Sequence, residues 1–522
     1  MLDITDFEFG KEIKIKHGNS SLKALINIIN KYAYSEEIHQ ILLALDAFSN
    51  NLIDYPPKVF NINYKSMSTI DLEVHKLMQK INITYLIEKY LVYEKDTGIK
   101  RINPNEIVKA TNIISRQSTF KKDNLLSELF FYLSYEQFSL QDNRFIIDYY
   151  RIVNIFQHSQ DALKIIEKRF GLDIFKLINL HYVLVILIFD SKSPSIKFSI
   201  KGFKNRLLKS INNITEKEID IFLNNLLITK KEFKNKHLYF RYKKDSKGNL
   251  FFCKNNEPIS MSWEEQSPID RSFPKISYSY PLLLENNIET MILTSYTALR
   301  ESLKLERYIR EINLISNFRG SYFGPLLEKY IGNFFTEFYN ENNLDVKIYG
   351  NEEYYIGKDK FDAPDVIIET KDYIIFIESK TSAFNLEKAL KNFSDEDYKK
   401  YFEDIEKSSK NIKRYLDENS NLKMKKIYKF ISFIVPQSAM VSALPNDKKK
   451  IYDIDNDLII TDLNSLEALT SLFEKDIIKV IDSFIAGDTF NTLYHFCQTE
   501  YGIDMSKYQE FFDKHKVLDF KK

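Results

Sequence analysis

The sequence predicts a multidomain protein in which a largely α-helical N-terminal region precedes a C-terminal α/β domain with a mixed sheet flanked by helices. A chain of 522 residues is longer than one hydrophobic core usually serves. Apolar residues recur at three- and four-residue spacing through residues 1–232, and a mixed pattern of strands and helices begins near residue 317. We therefore expect a helical N-terminal region at 1–232, a hairpin with an irregular stretch and a linking helix at 233–316, the α/β domain at 317–487 and a helical tail at 488–522.

Composition favours a soluble protein of a reducing compartment. Apolar residues make up 44% of the chain and charged residues 28%, which is ordinary for a folded protein. Cys253 and Cys497 are too few for a disulfide framework. The longest apolar run, Tyr182–Phe189, is far shorter than the roughly 20 residues that span a bilayer, and the first residues lack the order of a signal peptide. We expect a cytoplasmic protein that does not enter a membrane.

Charge is distributed unevenly along the chain. Residues 1–310 contain 45 Lys and Arg against 36 Asp and Glu, whereas residues 311–522 contain 29 against 37. A basic front half and an acidic rear half fit a binding region followed by a region that collects metal. A simple drift of surface charge between domains explains the same numbers.

The elements of the first 316 residues follow from periodicity and turn signals. His237–Tyr242 and Asn249–Cys253 flank the turn signal Asp245–Gly248, which predicts a hairpin. After a stretch broken by prolines, a helical pattern returns at Glu285–Ser316. Predicted helices before the hairpin include Leu22–Tyr32, Ile38–Leu52, Leu72–Tyr93, Leu125–Tyr135 and Ile174–Phe189.

The last domain begins with a helix and continues with alternating strands and helices. Pro325 favours a helix start because proline suits the first helical position. Near the end, the pattern Asn464-Ser465-Leu466-Glu467 predicts a capping box that opens a helix ending near Gly487. The elements predicted between these two helices are strands at Val346–Tyr349, Tyr354–Ile356, Asp365–Glu369 and Tyr373–Thr381, a polar helix at Glu396–Asn419, and strands at Ile427–Val435 and Leu458–Thr461.

Two of these strands form a hairpin that gathers charged residues. If its turn centres on Lys371-Asp372, Asp365 faces Glu378 directly, because paired positions then sum to 743. Side chains two apart on a strand share a face, so Lys380 joins Glu378. Facing residues on paired strands have Cβ atoms about 4.5–5.5 Å apart, which lets two carboxylates share one divalent ion.

The predicted proximity of Asp365, Glu378 and Lys380 indicates a chemical role for these side chains. Two adjacent carboxylates repel each other unless a cation neutralises them. Oxygen ligands on few residues suit Mg²⁺ or Mn²⁺, which retain water and accept phosphate oxygens. Such an ion acidifies bound water and stabilises charge on a phosphodiester, while Lys380 orients the water or stabilises the developing charge. The sequence therefore predicts a site for phosphodiester hydrolysis.

Pro364-Asp365, followed after an apolar strand by Glu378-Ser379-Lys380, resembles the PD-(D/E)xK nuclease superfamily, which has the restriction-endonuclease-like fold. The resemblance covers roughly residues 320–487. It implies a core made of a helix, a mixed sheet of four or five strands and further helices. It also implies catalytic roles for Asp365, Glu378 and Lys380, with Ser379 among the metal ligands.

Two helices around the hairpin extend this resemblance. A glutamate on the helix before the sheet often helps to hold the metal in that superfamily, and Glu328 occupies that place as an expected catalytic residue and metal ligand. In the exonuclease-like branch a Gln-xxx-Tyr pattern follows the lysine. Here Asn411 to Tyr415 has the same spacing with Asn in place of Gln.

A second match to the charged motif lies earlier in the chain. Asp190-Ser191-Lys192 follows the apolar run Val183–Phe189, but no Pro-Asp precedes it and residues 173–181 contain no turn signal. We interpret Asp190 as a residue at a helix end. On the polar helix after the hairpin, which should flank the site, we expect contacts to nucleic acid from Lys407, Lys410, Lys413 and Arg414.

These observations lead to a functional expectation with alternatives. The first is a DNA endonuclease of a restriction or antiphage defence type, in which the basic front half recognises a target and the last domain cuts duplex DNA. A homodimer or higher oligomer would supply the two active sites that a double-strand cut requires. An RNase or a nickase would use the same site, and a catalytically inactive nucleic-acid-binding or scaffold protein would keep the fold alone.

Overall fold

The computed structural model describes residues 36–49, 52, 83–84, 86–88, 91, 106, 110, 145–189, 197–237, 240–244, 250–254, 257–259, 277, 279–285, 289–303, 307–308, 322–381, 395–434, 458–487 and 493–515. The N-terminal region is mostly helical, as its apolar spacing predicts. Its first described helices are α1 (Glu36–Ser49), α2 (Phe145–Phe156), α3 (Gln160–Phe170) and α4 (Ile174–Phe189). Local signals set the ends of α3, because the Ser159 hydroxyl accepts a hydrogen bond from the Ala162 N–H and Gly171 ends the helix with a φ of 72°.

The predicted helices at Leu22–Tyr32 and Leu125–Tyr135 lie outside the described residues. Of the predicted helix Leu72–Tyr93, the structure describes six residues, and all six are helical. Among the described residues no single helix is both long and apolar enough to cross a membrane, although the bent pair formed by α3 and α4 meets the length and composition criteria together.

The middle of the chain combines short helices with short strands. In chain order its elements are β1 (Lys197–Ser199), α5 (Ile200–Ser210), α6 (Glu216–Asn224), β2 (Leu227–Thr229), α7 (Lys230–His237), β3 (Phe240–Lys244), β4 (Leu250–Lys254), β5 (Glu257–Ile259), β6 (Leu282–Leu284), β7 (Thr290–Leu293) and α8 (Tyr296–Glu301). The predicted hairpin is confirmed, because β3 pairs antiparallel with β4. The third strand of that sheet, β5, was not expected.

A four-stranded sheet of order β1-β7-β6-β2 corrects two predictions. Residues 1–232 are not helical throughout, because β1 and β2 lie within them. The predicted helix over Glu285–Ser316 is also wrong in part, since β7 occupies its first turns and α8 is only six residues long. Strands of three or four residues are too short to display the alternation that identifies a strand in a sequence.

The C-terminal half is built on a five-stranded mixed sheet of order β14-β13-β12-β11-β8. Strand β11 is antiparallel to β8 and β12, whereas β12, β13 and β14 run parallel to one another. The elements of this half, whose ends fall within two residues of the predicted ones where a prediction exists, are α9 (Gly324–Glu341), β8 (Lys347–Tyr349), β9 (Glu353–Ile356), β10 (Asp359–Asp362), β11 (Val366–Glu369), β12 (Tyr373–Lys380), α10 (Asp395–Glu418), β13 (Lys426–Phe433) and β14 (Leu458–Asp462).

The helix predicted from the capping box is in fact two helices, α11 (Leu463–Thr470) and α12 (Ile477–Ala486). The cap of α11 is Asp462, whose carboxylate accepts a hydrogen bond from the Ser465 N–H, so the expected box at Asn464–Glu467 is wrong. Glu467 is instead buried and bound to an arginine. Asp476 caps α12, and Gly487 follows its last residue as predicted.

The tail is helical and packs back on the N-terminal region. It contains α13 (Leu493–Phe496), a π-helical turn at Cys497–Tyr501 and α14 (Ser506–His515). Phe512 of α14 packs edge-on against Tyr149 of α2, with ring centroids 5.1 Å apart. One connected hydrophobic core therefore includes buried residues from Ile38 to Phe512.

Candidate active site

The site is built around the β11–β12 hairpin, whose register is the predicted one. Val366 pairs with Ile377, so the residue before β11, Asp365, lies opposite Glu378. The strand interiors are apolar and buried on both sides of the sheet, and the short turn between the strands sets which residues pair. The two carboxylates thus meet at one end of a rigid hairpin.

Asp365 is held by the residue that follows Glu378. Its Oδ2 accepts hydrogen bonds from the Ser379 backbone N–H at 2.6 Å and from the Ser379 hydroxyl at 2.9 Å. Ser379 is buried, and its hydroxyl proton is directed to the aspartate. Its expected role as a metal ligand remains a prediction, whereas the contact itself shows that Ser379 orients Asp365.

Glu378 is only 4% exposed and is hydrogen-bonded through both oxygens. Lys380 donates to Oε2 at 3.1 Å, so the predicted sharing of a face by these two side chains is correct. Helix α10 supplies two more donors, Asn411 to Oε1 at 2.7 Å and Ser408 to Oε2 at 3.3 Å. Asn411 thus reaches the glutamate from the position singled out by the Gln-xxx-Tyr comparison, and Ser408 lies one turn earlier on the same face.

Glu328 lies in the first turns of α9, on the same side of the molecule. Its Oε2 accepts a hydrogen bond from the Asn351 side-chain amide at 2.7 Å. Electrostatic coupling links it to the hairpin, because Glu378 raises and Lys380 lowers its pKa after the larger raising effect of burial. The structure therefore places Glu328 within electrostatic reach of Glu378 and Lys380. It does not group Glu328 with Asp365 and Glu378 closely enough for the three carboxylates to hold one metal ion.

A tight bend at Gly350 and Asn351, named here the glycine corner, connects the Glu328 and Asp365 parts of the site. Gly350 has a φ of +149°, and a Cβ atom there would lie 2.5 Å from the Asp365 carbonyl oxygen. Asn351 follows with a φ of 54°, and its N–H donates to the Pro364 carbonyl at 3.0 Å. Only glycine fits the first of these positions. The corner therefore packs against the Pro364-Asp365 backbone while its asparagine side chain holds Glu328.

Crowding of acids dominates the electrostatics of the site. The pKa of Asp365 is raised to about 7, first by burial and then by the charges of Glu378 and Glu328, while Lys380 opposes the shift. Carboxylates placed close together in a low-dielectric pocket resist simultaneous ionisation. A cation bound between them would relieve that repulsion.

The donor chemistry of Asp365 and Glu378 fits a hard divalent cation such as Mg²⁺ or Mn²⁺, because both supply oxygen ligands. Within the described residues, no three histidine, cysteine, aspartate or glutamate side chains are grouped as a ready metal cage. Magnesium is usually held by one or two carboxylates together with waters and substrate phosphates. Two facing carboxylates are therefore sufficient for an ion of this kind.

The cations expected to contact nucleic acid occupy different environments on α10. Lys407 and Lys413 are exposed, and Lys410 is also exposed but pairs with Glu406. Arg414 lies over the ring of Phe361 on the β9–β10 hairpin, with its guanidinium carbon 4.2 Å from the ring centroid. Nucleic-acid contact by these four side chains remains a prediction, and Arg414 has a packing role that the sequence did not indicate.

Other titratable residues outside the site have structural partners. Glu369 at the far end of β11 accepts hydrogen bonds from Lys425 and Tyr349, so it is an ion-paired hairpin end. His181 lies within α4, and its ring nitrogens contact Tyr308 and Ser302. The helical pattern before Asp190 is confirmed by α4, whereas Asp190 itself lies outside the described residues.

Three groups that shape the site were missed from the sequence. Ser408, Gly350 and Asn351 are 15 to 30 residues away in sequence from the acidic residues that they contact, which are Glu378, Asp365 and Glu328. The spacing of Ser408, three residues before Asn411 on a helix, was the one available signal. Comparison of the chain with models of known protein families, with curated proteins and with solved structures gives no match in any of the three.

Proposed function

We propose that the chain is a metal-dependent phosphodiesterase, specifically a deoxyribonuclease of the PD-(D/E)xK type with a restriction-endonuclease-like C-terminal domain. The observation that carries the proposal is the geometry of one hairpin end, where Asp365 faces Glu378 and Lys380 lies 3.1 Å from Glu378. The raised pKa of Asp365 supports it, because strongly shifted carboxyls in a shared pocket are typical of functional sites.

The surrounding elements support the same proposal. Helix α9 precedes the mixed sheet and presents Glu328 to the hairpin, and α10 follows β12 and supplies donors to Glu378. Parallel strands β13 and β14 complete the sheet. A helix followed by a mixed sheet of five strands and further helices agrees with the core that the resemblance implies.

Each side chain then has a chemical task. Asp365 and Glu378 would hold a Mg²⁺ or Mn²⁺ ion, which supplies Lewis acidity to the scissile phosphate when bound. Ser379, Ser408 and Asn411 keep the two carboxylates in fixed orientations, which lowers the cost of organising the site. Lys380 is positioned to stabilise negative charge on the phosphate or to orient the attacking water.

The biological setting and the substrate are further proposals. A restriction or antiphage defence role fits an endonuclease with a separate basic region, and a homodimer would allow both strands of duplex DNA to be cut. An RNase or nickase would use the same groups, because the reacting bond is a phosphodiester in each case. An inactive scaffold is less favoured, since a protein without catalysis has no need for the complete set of Asp365, Glu378 and Lys380.

The test is cleavage of labelled duplex DNA, single-stranded DNA and RNA by purified protein with Mg²⁺ or Mn²⁺. We expect the wild type to cut at least one substrate, Asp365→Asn to reduce cutting to background, and Lys380→Gln to reduce it about 10²- to 10³-fold. Asp372→Asn is the matched control, because Asp372 is exposed in the turn at the other end of the same hairpin. Cutting that survives both site substitutions would refute the site, and absence of cutting by the wild type on every substrate would favour the scaffold.

A further inference from the structure

Helix α5 of the N-terminal region has a cationic outer face. Its core-facing residues Phe203 and Leu207 are buried, whereas Lys201, Arg206 and Lys209 are exposed on the opposite side. At 100° per residue these three side chains fall within one arc of the helix, together with Gly202 and Asn205. Residues 200–210 contain no aspartate or glutamate, so the face carries positive charge alone.

The acidic residues of the next helix, α6, are engaged by lysines other than these three cations. Helix α6 carries Glu216, Glu218 and Asp220, of which Glu216 and Asp220 pair with Lys204 on the flank of α5. Glu218 pairs with Lys176 of α4 at 2.6 Å. Within the described part of the chain, Lys201, Arg206 and Lys209 make no ion pair. These three residues, named here the α5 cation face, therefore present uncompensated charge to solvent.

The position of α5 in the fold suits contact with a long ligand. Helices α5 and α6 follow β1, which pairs with β7 of the β6–β7 hairpin, so two consecutive helices are joined to a mixed four-stranded sheet. In helix-turn-helix proteins such a pair docks on duplex nucleic acid, with the first helix crossing the backbone and the second reading bases. The acidic residues of α6 make it unsuited to enter a groove lined by phosphates. If this helix pair contacts a duplex, the contact is therefore made by α5 with the phosphate backbone of the nucleic acid.

The length and composition of the α5 cation face favour a nucleic-acid duplex over a membrane surface as its ligand. Lys201 and Lys209 are about 12 Å apart along the helix axis at 1.5 Å per residue. A nucleic-acid duplex presents about one negative charge per 1.7 Å of axis, so several phosphates face a row of this length. An interfacial membrane helix requires an exposed apolar side, whereas the apolar side of α5 is turned into the core.

We infer that the α5 cation face binds the phosphate backbone of the nucleic acid that the protein acts on and holds it without reading its sequence. The inference rests on the proposed function for the identity of the ligand. The excess of positive charge in residues 1–310 agrees with it. Each neutralised phosphate releases counterions, so binding through this face depends on salt.

The experiment is fluorescence anisotropy of labelled duplex DNA and duplex RNA in EDTA, which prevents cleavage, over a series of salt concentrations. The test variant is Lys201→Gln/Arg206→Gln/Lys209→Gln. The control variant Lys168→Gln/Lys371→Gln/Lys514→Gln removes the same charge from exposed lysines on α3, the β11–β12 turn and α14. Thermal melting establishes that both variants fold.

We expect the slope of log K against log salt to fall by about 3 in the test variant and affinity to fall on the order of 10²-fold near 0.1 M salt, equally for unrelated sequences. A loss of affinity for only one of the two duplexes would identify that nucleic acid as the ligand of the α5 cation face. A test variant that binds both as well as the control variant does would overturn the inference.

Failure of this inference and failure of the nuclease proposal give different results. If the wild type cleaves and the α5 variant binds normally, the nuclease stands and the α5 cation face is not the binding surface. If the α5 variant loses binding but the wild type cleaves nothing with Mg²⁺ or Mn²⁺, the face stands and the nuclease proposal falls.

Discussion

At the scale of single residues, Asp365 connects the stability of the protein to its proposed chemistry. Its pKa of about 7 in the folded protein lies well above that of an exposed aspartate because of burial and neighbouring acids. Below pH about 4 the group is protonated in both the folded and the unfolded chain. As pH rises from there to 7 the folded state binds more protons, so stability is progressively lost. The metal-free protein therefore carries an electrostatic penalty at neutral pH.

Asp365→Asn should raise the melting temperature of the metal-free protein above pH 7, by about 1 °C for each kcal/mol of repulsion removed in a chain of this length. The gain should shrink as pH falls and vanish near pH 4, because the aspartate is then neutral in both states. Thermal melts in EDTA from pH 4 to pH 9 measure it, with Asp372→Asn as the control. A gain that is independent of pH would contradict the assigned electrostatics.

The glycine corner makes a second prediction at this scale. Gly350→Ala should destabilise the protein by about 1–3 kcal/mol and lower activity, because the added Cβ meets the Asp365 backbone and the φ of +149° suits glycine alone. Gly332→Ala in α9 is the matched control, since a Cβ there meets nothing within 4 Å. That control should stabilise the protein by about 0.5–1 kcal/mol. Urea unfolding of both variants provides the comparison, and equal effects would refute the role of the corner.

Asn351 has a positioning role that can be tested through Glu328. Asn351→Asp keeps a residue that tolerates positive φ but replaces the amide donor with a carboxylate, which should raise the pKa of Glu328 further. We expect the pH above which cleavage reaches its plateau to move upward, with kcat affected more than KM. Asn351→Gly, which loses the donor without adding charge, should lower activity with a smaller shift of the profile. An unchanged pH profile in Asn351→Asp would refute this role.

The two carboxylates and the lysine of the candidate site were predictable from the sequence because they share one hairpin. Once the turn is located, strand pairing fixes which residues face each other, and Asp365, Glu378 and Lys380 follow. The supporting groups were not predictable in the same way. Asn351 and Ser408 reach the site through tertiary packing of a loop and a helix, and a single sequence contains no rule for such contacts.

At the scale of secondary-structure elements, the joint between α2, α9 and α11 depends on one buried arginine. Arg151 of α2 forms two hydrogen bonds with Glu467 of α11, at 2.9 and 2.6 Å, and Tyr330 of α9 donates to the same carboxylate at 2.7 Å. Arg151 and Glu467 are each 3% exposed, and the pairing holds the pKa of Arg151 well above its usual value despite burial. Three elements from distant parts of the chain thus meet at one ion pair.

Arg151→Met should destabilise the protein by about 3–5 kcal/mol, because Glu467 would remain buried without its counter-ion. Adding Glu467→Leu should recover part of that loss, since replacing both members of a buried pair by apolar residues is often neutral. Urea unfolding of the two variants tests the pair. A single variant as stable as the wild type would show that water already satisfies Glu467.

The ends of helices and strands were predicted well where the apolar periodicity extends over many residues. They were predicted poorly where tertiary contacts determine where an element begins or ends. The ends of β12 and α10 lie within one residue of the predicted ones. The capping box at Asn464–Glu467 was wrong because Glu467 is buried and paired with Arg151. The break between α11 and α12 was also missed. Strand β10 was missed because three of its four residues are charged.

At the scale of the whole molecule, sequence order and spatial order differ. The tail helix α14 covers the outer side of α2, where Tyr508 and Phe511 pack against Tyr150 at centroid distances of 5.1 and 4.7 Å. Tyr150 in turn packs against Tyr330 of α9 at 6.3 Å. The last described helix therefore stabilises a contact between the N-terminal region and the helix that carries Glu328.

Ending the chain after residue 505 should lower the melting temperature of the protein and expose apolar surface, because the aromatic side chains of α2 would lose their cover. Binding of an apolar fluorescent dye and thermal melting measure both effects. Tyr508→Ala/Phe512→Ala in the full chain should reproduce them in weaker form. A truncated protein that melts like the full chain would show that α14 is dispensable.

The buried ion pair of Arg151 and Glu467 also determines which part of this chain could be transferred to another protein. Residues 317–522 contain the hairpin and its supporting helices, yet the partner of Glu467 and one face of α9 come from α2. A chimaera that grafts this half onto a foreign DNA-binding module would leave an acid and several aromatic rings exposed at the graft. A transplantable form of the proposed nuclease domain must therefore include α2 and its packing partners.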